Sequence, residues 1–388
     1  MIDRIKTLSA KYFPRVMELR RQIHANPELS WEEFQTSKLV ADELKRMPGI
    51  EVITGVAKNG VVAVLKGNKG GPKCIALRAD MDALPIQEQN AVEYCSKNAG
   101  KMHACGHDVH TSNLLGVAMI LSELRDEIEG TVKFIFQPSE EKIPSGAEAM
   151  IQAGVLQNPK PERIFGLHVS PELEAGTFGF HGGRFMASSD EIYLTVVGKG
   201  GHAAQVQTLV SPLLIAAEIL IALRPLTDLN IPMVLSFGNI EGKGATNVVP
   251  DKVELAGTLR CFDENLRVEL HKKITTICQS VSLQNKGRCE VNILKGYPVL
   301  INNEAVTNHA KHLAEEFAGA KNVLEIPFRM GSEDFAYYTH QVPACFYRLG
   351  VGNVAKGITS GIHTPTFNID ESALQHSIGL MSWIALKG

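Results

Sequence analysis

Short apolar runs alternate with longer segments of helical spacing along the first half of the chain. Apolar positions three and four residues apart predict amphipathic helices, and short apolar runs bounded by turn residues predict strands. Strands and helices that alternate in this way are typical of an α/β sheet, at least partly parallel, with helices on both faces. The predicted elements are helices 3–25 and 31–47, strands 61–65 and 74–77 joined by a glycine-rich turn, helix 111–124, strand 132–136, helix 145–153 and strand 164–167.

The pattern changes after about residue 186. The predicted order becomes strand, helix, strand, strand, helix, strand, which is the ferredoxin-like βαββαβ order. A length of 388 residues is also long for one hydrophobic core. We therefore expect an α/β protein with a discontinuous first domain at residues 1–186 and 298–388 and an inserted domain at residues 187–297. The predicted elements here are strand 191–198, helix 211–223, strands 233–241 and 252–262, helix 263–284, strand 289–296 and, after the insertion, helix 303–318.

Composition narrows the function classes. The net charge is -3, with acidic and basic residues interspersed, so no basic surface for nucleic acid is expected. The sequence contains no run of eighteen apolar residues, so no membrane span is expected. The first residues lack the apolar core of a secretory signal, so no such signal is expected. Seven cysteines without framework spacing predict reduced thiols and a cytoplasmic protein.

The segment Met102–His110 concentrates one cysteine and three histidines. Cys105 and His107 are two residues apart, so on an extended segment their side chains would share a face. Sulfur and imidazole nitrogen together suit a transition metal. A buried thiol beside a structural histidine is the alternative, but the density of titratable groups in this segment favours metal ligation.

Two acidic pairs follow predicted strands. Glu140 and Glu141 lie where α/β proteins place their sites, and one carboxylate could bind metal while the other faces a water molecule. A solvated surface pair is the alternative. Asp80 and Asp82 could orient a metal-bound imidazole, or they could form an ordinary turn network with Arg78.

Further candidates are isolated polar residues. His168 follows a predicted strand and His363 lies near a glycine-rich loop, and a lone histidine is more often structural. His202 follows two glycines, which suits either a side chain that reaches across a cleft or a plain turn. The segments around Asn247 and Arg260 are equally ambiguous when each is taken alone.

Taken together, these segments resemble the aminoacylase-type metal-dependent amidohydrolases, the branch that contains hippurate hydrolases, indole-acetyl-amino-acid hydrolases and N-acetyl-diaminopimelate deacetylases. The matches keep one order over nearly the whole chain, which makes the resemblance specific. The matching segments are Arg20–His24, Asn26–Leu29, Arg78–Pro85, His103–Asp108, Gln137–Glu141, Gly200–Ala204, Asn247–Pro250, Gly331–Phe335 and His363–Pro365.

The resemblance implies two divalent metal ions per subunit, for which Mn²⁺, Zn²⁺, Co²⁺ and Ni²⁺ are all candidates. It implies that Cys105 bridges the two ions. It also implies that Glu140 is the general base and that Asp82 orients a ligand. The implied ligands are Cys105, His107, Glu141, His168 and His363.

The inserted domain is implied to be a lid and a dimerisation domain, so a homodimer is expected. His202 resembles a lid histidine that helps to hold the oxyanion. Asn247, Arg260, Gly331 and Ser332 resemble substrate-binding positions, with Arg260 suited to the carboxylate on the product side.

Two segments depart from the family pattern. Relatives commonly continue the acidic pair with glycines, whereas this chain has Lys142-Ile143-Pro144-Ser145, and Pro144 would stiffen that loop. Relatives also often follow the lid histidine with Pro-His, whereas this chain has Gln205-Val206-Gln207-Thr208. Neither departure removes an implied ligand.

The predicted function is hydrolysis of the amide bond of N-acyl-L-amino acids, with a small-molecule substrate and no nucleic-acid or membrane partner. A dipeptidase or carboxypeptidase of the same superfamily is the nearest alternative. A cysteine-nucleophile enzyme that uses Cys105 with His107 or His110 is a second alternative, and a non-catalytic binding protein on the same fold is a third.

Overall fold

A computed structural model describes residues 1–227 and 231–388, and the chain in it divides into two compact units. Unit 1 comprises Met1–Gly183, Ile301–Pro327 and Asp334–Gly388, and unit 2 comprises Arg184–Leu300 and Phe328–Glu333. The expected first domain included residues 328–333. This segment belongs to unit 2 because the backbone N–H of Ala187 donates to the carbonyls of Arg329 and Gly331, each at 3.1 Å.

The regular elements are numbered here in chain order. The helices are α1 (Ile2–Ala25), α2 (Phe34–Lys45), α3 (His107–Glu123), α4 (Gly146–Gln152), α5 (Pro212–Leu223), α6 (Glu264–Gln284), α7 (Glu304–Ala318), α8 (Ala336–Thr339) and α9 (Ser372–Lys387). The strands are β1 (Ile50–Val56), β2 (Gly60–Lys66), β3 (Cys74–Asp80), β4 (Thr131–Gln137), β5 (Arg163–Glu174), β6 (Phe178–Phe180), β7 (Gly183–Met186), β8 (Asp190–Val197), β9 (Gly201–His202), β10 (Met233–Glu241), β11 (Val248–Val249), β12 (Lys252–Cys261), β13 (Arg288–Lys295), β14 (Leu300–Asn302), β15 (Val323–Glu325) and β16 (Ala344–Gly352).

Unit 1 is built on a mixed eight-stranded sheet with the order β1-β2-β4-β3-β5-β16-β6-β15. The four central strands, β4, β3, β5 and β16, are parallel. Strands β3 and β16 are buried along their whole length, as expected for parallel strands covered on both faces. The predicted α/β fold class is confirmed, and the carboxyl ends of these central strands are where ligands bind in such sheets.

The first two apolar runs form the strands β2 and β3, as the sequence predicts. Strands β2 and β3 are not neighbours, because β4 lies between them, antiparallel to β2 and parallel to β3. Both strands therefore pair with β4, which lies further along the chain, rather than with each other across the turn at residues 67–71. Strands β1 and β16 and helix α9 were not predicted.

Helices α1, α2 and α9 of unit 1 pack around α3. Helix α3 contacts α1 and α9, and every residue from His107 to Leu121 is buried. Apolar residues on one face of α1, including Ile5, Leu19 and Ile23, are also buried. Because α3 is enclosed, the polar side chains at its amino end are held in fixed positions.

Unit 2 contains the ferredoxin-like arrangement that the sequence predicts. Its sheet has the order β10-β12-β8-β13, all antiparallel, and α5 and α6 pack together against it. The alternating burial of β8 shows that one face of the sheet meets these helices. Strands β10 and β13 form the edges of this sheet.

No helix within residues 1–227 and 231–388 combines the length and apolar character needed to cross a lipid bilayer.

Candidate metal centre

A tight turn presents Cys105 and His107 together. The expectation of an extended segment was wrong, because Gly106 has a left-handed φ of 84° and helix α3 begins directly at His107, four residues earlier than predicted. A Cβ on Gly106 would lie 2.5 Å from Cγ2 of Val169, so only glycine fits here. The two side chains nevertheless converge, as the sequence predicts, although through a turn rather than a strand.

The sulfur of Cys105 lies between two histidines that are distant in sequence. Its Sγ atom is 3.2 Å from Nε2 of His168 and 3.2 Å from Nε2 of His363. His168 lies within β5, two residues beyond the last residue paired with β3, and His363 lies in a loop with a φ of 61°. Oε1 of Glu141 is 3.3 Å from Nε2 of His363 and 3.9 Å from Nε2 of His107.

The donor atoms form two groups that share one thiol. Cys105, His107 and His168 form the first group, and Cys105, Glu141 and His363 form the second, with the atoms of each group within 4.8 Å of one another. Nε2 of His107 and Oε1 of Glu141 are buried without a hydrogen-bond partner among the described residues. Buried polar atoms of this kind call for a partner. The mixed S, N and O donors therefore fit two divalent transition-metal ions.

Neighbouring groups orient the histidine ligands. Nδ1 of His168 donates to the carbonyl of Val169 at 2.7 Å, so its Nε2 lone pair faces the thiol. Nδ1 of His107 donates to Oδ1 of Asp82 at 3.2 Å, which leaves Nε2 of His107 facing Glu141. Both histidines thus present Nε2, the tautomer expected of ligands whose other nitrogen is fixed by an acceptor.

The electrostatic field of the cluster favours a cation. Burial and the charges of Glu141 and Glu140 raise the pKa of the Cys105 thiol well above its ordinary value. Burial would lower the pKa of His107, but Asp80, Asp82 and Glu141 outweigh it and raise that pKa to about 10. Burial lowers the pKa of His168 well below its ordinary value, which keeps it neutral.

The acidic pair is held by backbone hydrogen bonds to Asp82. The backbone N–H of Glu140 donates to Oδ1 of Asp82 at 3.0 Å, and that of Glu141 donates to Oδ2 at 2.9 Å. The carboxylates of Glu140 and Glu141 and the imidazole of His107 form a further cluster of ligand-type atoms. Glu140 is buried, so the solvated-surface alternative for this pair does not hold.

His110 is nearby but has another role. Its Nδ1 donates to Oδ1 of Asp80 at 2.6 Å, and its Nε2 accepts the backbone N–H of Val169 at 3.0 Å. Both ring nitrogens are occupied, so His110 braces β3 and β5. Asp80 also pairs with Arg78 at 2.6 Å, so the turn-network alternative describes Asp80 whereas Asp82 serves His107.

The remaining candidates lie in unit 2, where they form two groups. His202 is exposed on β9 and is paired with Val248, and the backbone N–H of Ala203 donates to the carbonyl of Asn247 at 2.9 Å. Arg260 is half-buried on β12, and its Nη1 donates to the carbonyl of Met330 at 3.1 Å. Gly331 and Ser332 follow Met330 directly, so they lie beside this arginine.

Sequence reasoning missed two buried acids, Glu33 and Asp334. Oε1 of Glu33 accepts the backbone N–H of Ser139 at 2.8 Å, and Asp334 binds both flanks of the loop that carries Glu140. Asp334 belongs to a segment that the resemblance had already singled out, but only the fold brings it to residue 140. Glu33 gave no signal in the sequence.

Comparison with known proteins agrees with the resemblance to metal-dependent hydrolases. The family described as Peptidase family M20/M25/M40 matches residues 76–387. Thermostable carboxypeptidase 2 of Saccharolobus solfataricus is 36% identical over 100% of this chain and 98% of its own. IAA-amino acid hydrolase ILR1-like 4 of Arabidopsis thaliana is 37% identical over 97% of this chain and 86% of its own. A dinuclear metal-binding peptidase from Bacillus subtilis has a crystal structure that matches with a TM-score of 0.85 and 33% identity over 97% of this chain and 98% of that one.

Proposed function

The chain belongs to peptidase family M20/M25/M40, and from this premise we propose that it hydrolyses the amide bond of N-acyl-L-amino acids to a carboxylic acid and a free amino acid. The observation that carries the proposal is the thiol of Cys105 between His168 and His363. Glu140 lies beside this site, in a cluster with His107 and Glu141. The resemblance to metal-dependent amidohydrolases is confirmed by the family match. A non-catalytic binder on this fold would have no need of a buried carboxylate beside the ligands.

Two divalent metal ions are the cofactors of this hydrolase, since its donor set forms two groups and a solved relative is a dinuclear metal-binding peptidase. When bound, such ions lower the pKa of a water molecule and polarise the scissile carbonyl. Cys105, shared by both groups, would be the bridging ligand. His107 and His168 complete one group, and Glu141 and His363 complete the other.

Glu140 is the proposed general base. A carboxylate beside the ligands can take the proton of the attacking water and then give it to the departing nitrogen, so one group serves as base and then as acid. Oε1 of Glu140 accepts the backbone N–H of Asp334 at 3.4 Å, which fixes the direction of the carboxylate. Asp82 is proposed to act indirectly, by holding His107 and the backbone of the acidic pair.

Unit 2 supplies the proposed substrate-binding groups. His202 would donate a hydrogen bond to the oxyanion from Nε2, since its ring is exposed and its Nδ1 accepts the backbone N–H of Ala204 at 3.1 Å. Arg260 would bind the carboxylate of the amino acid, because a guanidinium offers two parallel donors. Asn247, Gly331 and Ser332 would contact the rest of the substrate. Burial lowers the pKa of Arg260 and leaves this guanidinium poorly hydrated, which strengthens its attraction to an anion.

A substrate panel tests the proposed reaction. N-acetyl and N-benzoyl amino acids are compared with dipeptides that carry a free amino terminus, and the Glu140→Gln variant is the control for contaminating hydrolases. The proposal expects kcat/KM for the N-acyl compounds to exceed that for dipeptides at least tenfold. A preference for dipeptides would instead support the peptidase alternative, which the 36% identity to a carboxypeptidase keeps as the second candidate.

We also infer that the protein is a homodimer formed through unit 2. Helix α5 exposes Leu214 and Ile221, whose exposed fractions are 68% and 71%, on one face, and β10 is an unpaired sheet edge. A second copy suits these features, since a twofold axis pairs like edges and like faces. A cytoplasmic location is supported by the seven free cysteines, which are typical of reducing compartments.

A further inference from the structure

Asp334 ties together the two ends of the acid loop, defined here as residues 138–146, which carries Glu140 and Glu141. Before the loop, Nε2 of Gln137 donates to both carboxylate oxygens of Asp334 at 2.9 and 2.8 Å. After the loop, Oγ of Ser145 donates to Oδ2 of Asp334 at 2.6 Å and the backbone N–H of Ala147 donates to the same atom at 3.0 Å. A single carboxylate therefore sets the distance between the two ends.

The two ends of the acid loop also contact each other directly through the backbone. The backbone N–H of Gly146 donates to the carbonyl of Ser139 at 2.8 Å, and a Cβ on Gly146 would lie 1.6 Å from the carbonyl oxygen of Pro138. Ser139 has a φ of 50°, a left-handed conformation that costs energy for a residue with a side chain. Glu33 secures this residue by accepting its backbone N–H.

The same residue reaches the carboxylate of Glu140. The backbone N–H of Asp334 donates to Oε1 of Glu140 at 3.4 Å, while the side chain of Asp334 holds the loop from which Glu140 projects. Arg78 secures the arrangement, since its Nη2 donates to Oδ1 of Asp334 and its Nη1 donates to Asp80, both at 2.6 Å. The side chains of Arg78, Asp80 and Asp334 are fully buried, so their hydrogen bonds do not exchange with solvent.

We propose that Asp334 is a positioning residue for the general base: its side chain fixes the acid loop and its backbone N–H aims the carboxylate of Glu140. This inference rests on the proposed function, in which Glu140 is the base. Misplacing a catalytic group by about 1 Å can cost about 10²-fold in rate. Loss of this clamp should therefore lower turnover. The two ions should be retained, because Asp82 and Val169 still orient His107 and His168, and Asp82 still accepts the backbone N–H of Glu141.

The Asp334→Asn variant tests the proposal. Asparagine keeps the size of the side chain and an acceptor for Arg78, but its amide N–H₂ faces the donors of Ser145 and Ala147. We expect kcat per metal-loaded chain to fall about 10- to 100-fold, with KM changed less than about twofold and two metal ions retained. The Ser145→Ala variant removes the hydrogen bond to Asp334 and the one that caps α4, in which Oγ accepts the backbone N–H of Glu148 at 3.2 Å, without changing any charge. It should lower kcat by a smaller factor in the same sense.

Combining Asp334→Asn with Glu140→Gln distinguishes an effect of Asp334 on the position of Glu140 from a general effect on stability. If Asp334 acts through Glu140, adding Asp334→Asn to Glu140→Gln costs no further activity, because residues that act as a unit are not additive. Asp190→Asn, which breaks a buried carboxylate–arginine pair in unit 2, is the matched control and should leave kcat per metal-loaded chain unchanged.

Two results would overturn this inference and leave the proposed function standing. One is a wild-type kcat in metal-loaded Asp334→Asn. The other is that Asp334→Asn lowers kcat by the same factor in the wild-type protein and in Glu140→Gln. Near-normal activity of Glu140→Gln would instead overturn the base assignment itself, and this inference with it. If Asp334→Asn does not fold, Ser145→Ala decides. A kcat unchanged per metal-loaded chain in that variant would also overturn the proposal.

Discussion

Oδ1 of Asp82 lies 3.2 Å from Nδ1 of His107. The same carboxylate accepts the backbone N–H groups of Glu140 and Glu141 and the hydroxyl of Ser30. One buried acid therefore connects a proposed histidine ligand to the loop that carries the proposed base. Any change at this position should affect both metal binding and catalysis.

Replacing Asp82 with asparagine should weaken metal binding. The amide would direct an N–H₂ group at donors, and His107 would lose the charged acceptor that orients it. We expect metal affinity to fall about 10- to 100-fold, measured by competition with a chromophoric chelator. Ser30→Ala is the control, because it removes only one bond to Oδ2 and should change affinity about fivefold or less. Wild-type affinity in Asp82→Asn would contradict this role.

Replacing Glu140 with glutamine should separate metal binding from turnover. Glutamine cannot accept the proton of a water molecule, so kcat should fall about 10²- to 10⁴-fold while both ions are retained. Steady-state kinetics and elemental analysis on the same sample provide the two measurements. Glu141→Gln is the matched comparison and should lose metal. Near-normal turnover in Glu140→Gln would end the assignment of this residue as the base.

Three of the proposed ligands could be predicted from the sequence because they carry local signals. Cys105 and His107 are two residues apart, and Glu141 follows a strand end, so a metal site was predictable even though the turn at Gly106 was not. His168 and His363 were identified through the resemblance rather than from their surroundings. A lone histidine has no local pattern that reveals a distant partner, and Cys105 is 63 residues from His168 and 258 residues from His363.

The supporting residues could not be predicted for the same physical reason. Asp334 meets Gln137 only because β4 and the segment before α8 converge in the folded chain. The parallel order of β4, β3, β5 and β16 is likewise a long-range property, whereas the apolar runs that form β3 and β4 are local. The sequence thus predicted most elements and the ferredoxin-like insertion, but it did not predict that β4 lies between β2 and β3.

Asp190 should stabilise unit 2 in a pH-dependent way. Burial would raise its pKa, but hydrogen bonds from Arg267 and His271, at 2.9 and 2.6 Å, outweigh it and lower that pKa to about 2. A lowered carboxyl pKa stabilises the fold above the ordinary value of 3.8, and this contribution is lost as the pH falls towards 2. It is worth about 2 kcal/mol near neutral pH.

Scanning calorimetry between pH 7 and pH 3 checks this effect. Asp190→Asn should lower the melting temperature of unit 2 at pH 7, and the difference from wild type should shrink as the solution is acidified. Asp42→Asn is the control, since Asp42 belongs to an exposed pair with Lys38 and should not change the melting temperature. A difference that stays constant down to pH 3 would rule out the titration of Asp190 as the cause.

Charged substitutions on α5 test the proposed homodimer. Leu214→Glu combined with Ile221→Glu places two carboxylates on the exposed apolar face, so we expect the mass from light scattering to fall from two chains to one. Val354→Glu is the control, because Val354 has an exposed fraction of 73% and lies in unit 1. A wild-type protein that is monomeric at micromolar concentration would refute the proposal.

Metal content measured together with activity tests the central claim most directly. The purified protein is analysed for divalent metals and assayed on an N-acyl amino acid before and after dialysis against a chelator, and again after metal is returned. Two ions per chain, loss of activity on chelation and recovery on reconstitution are expected. Full amide hydrolysis by the metal-free chain would contradict a catalytic centre built on Cys105.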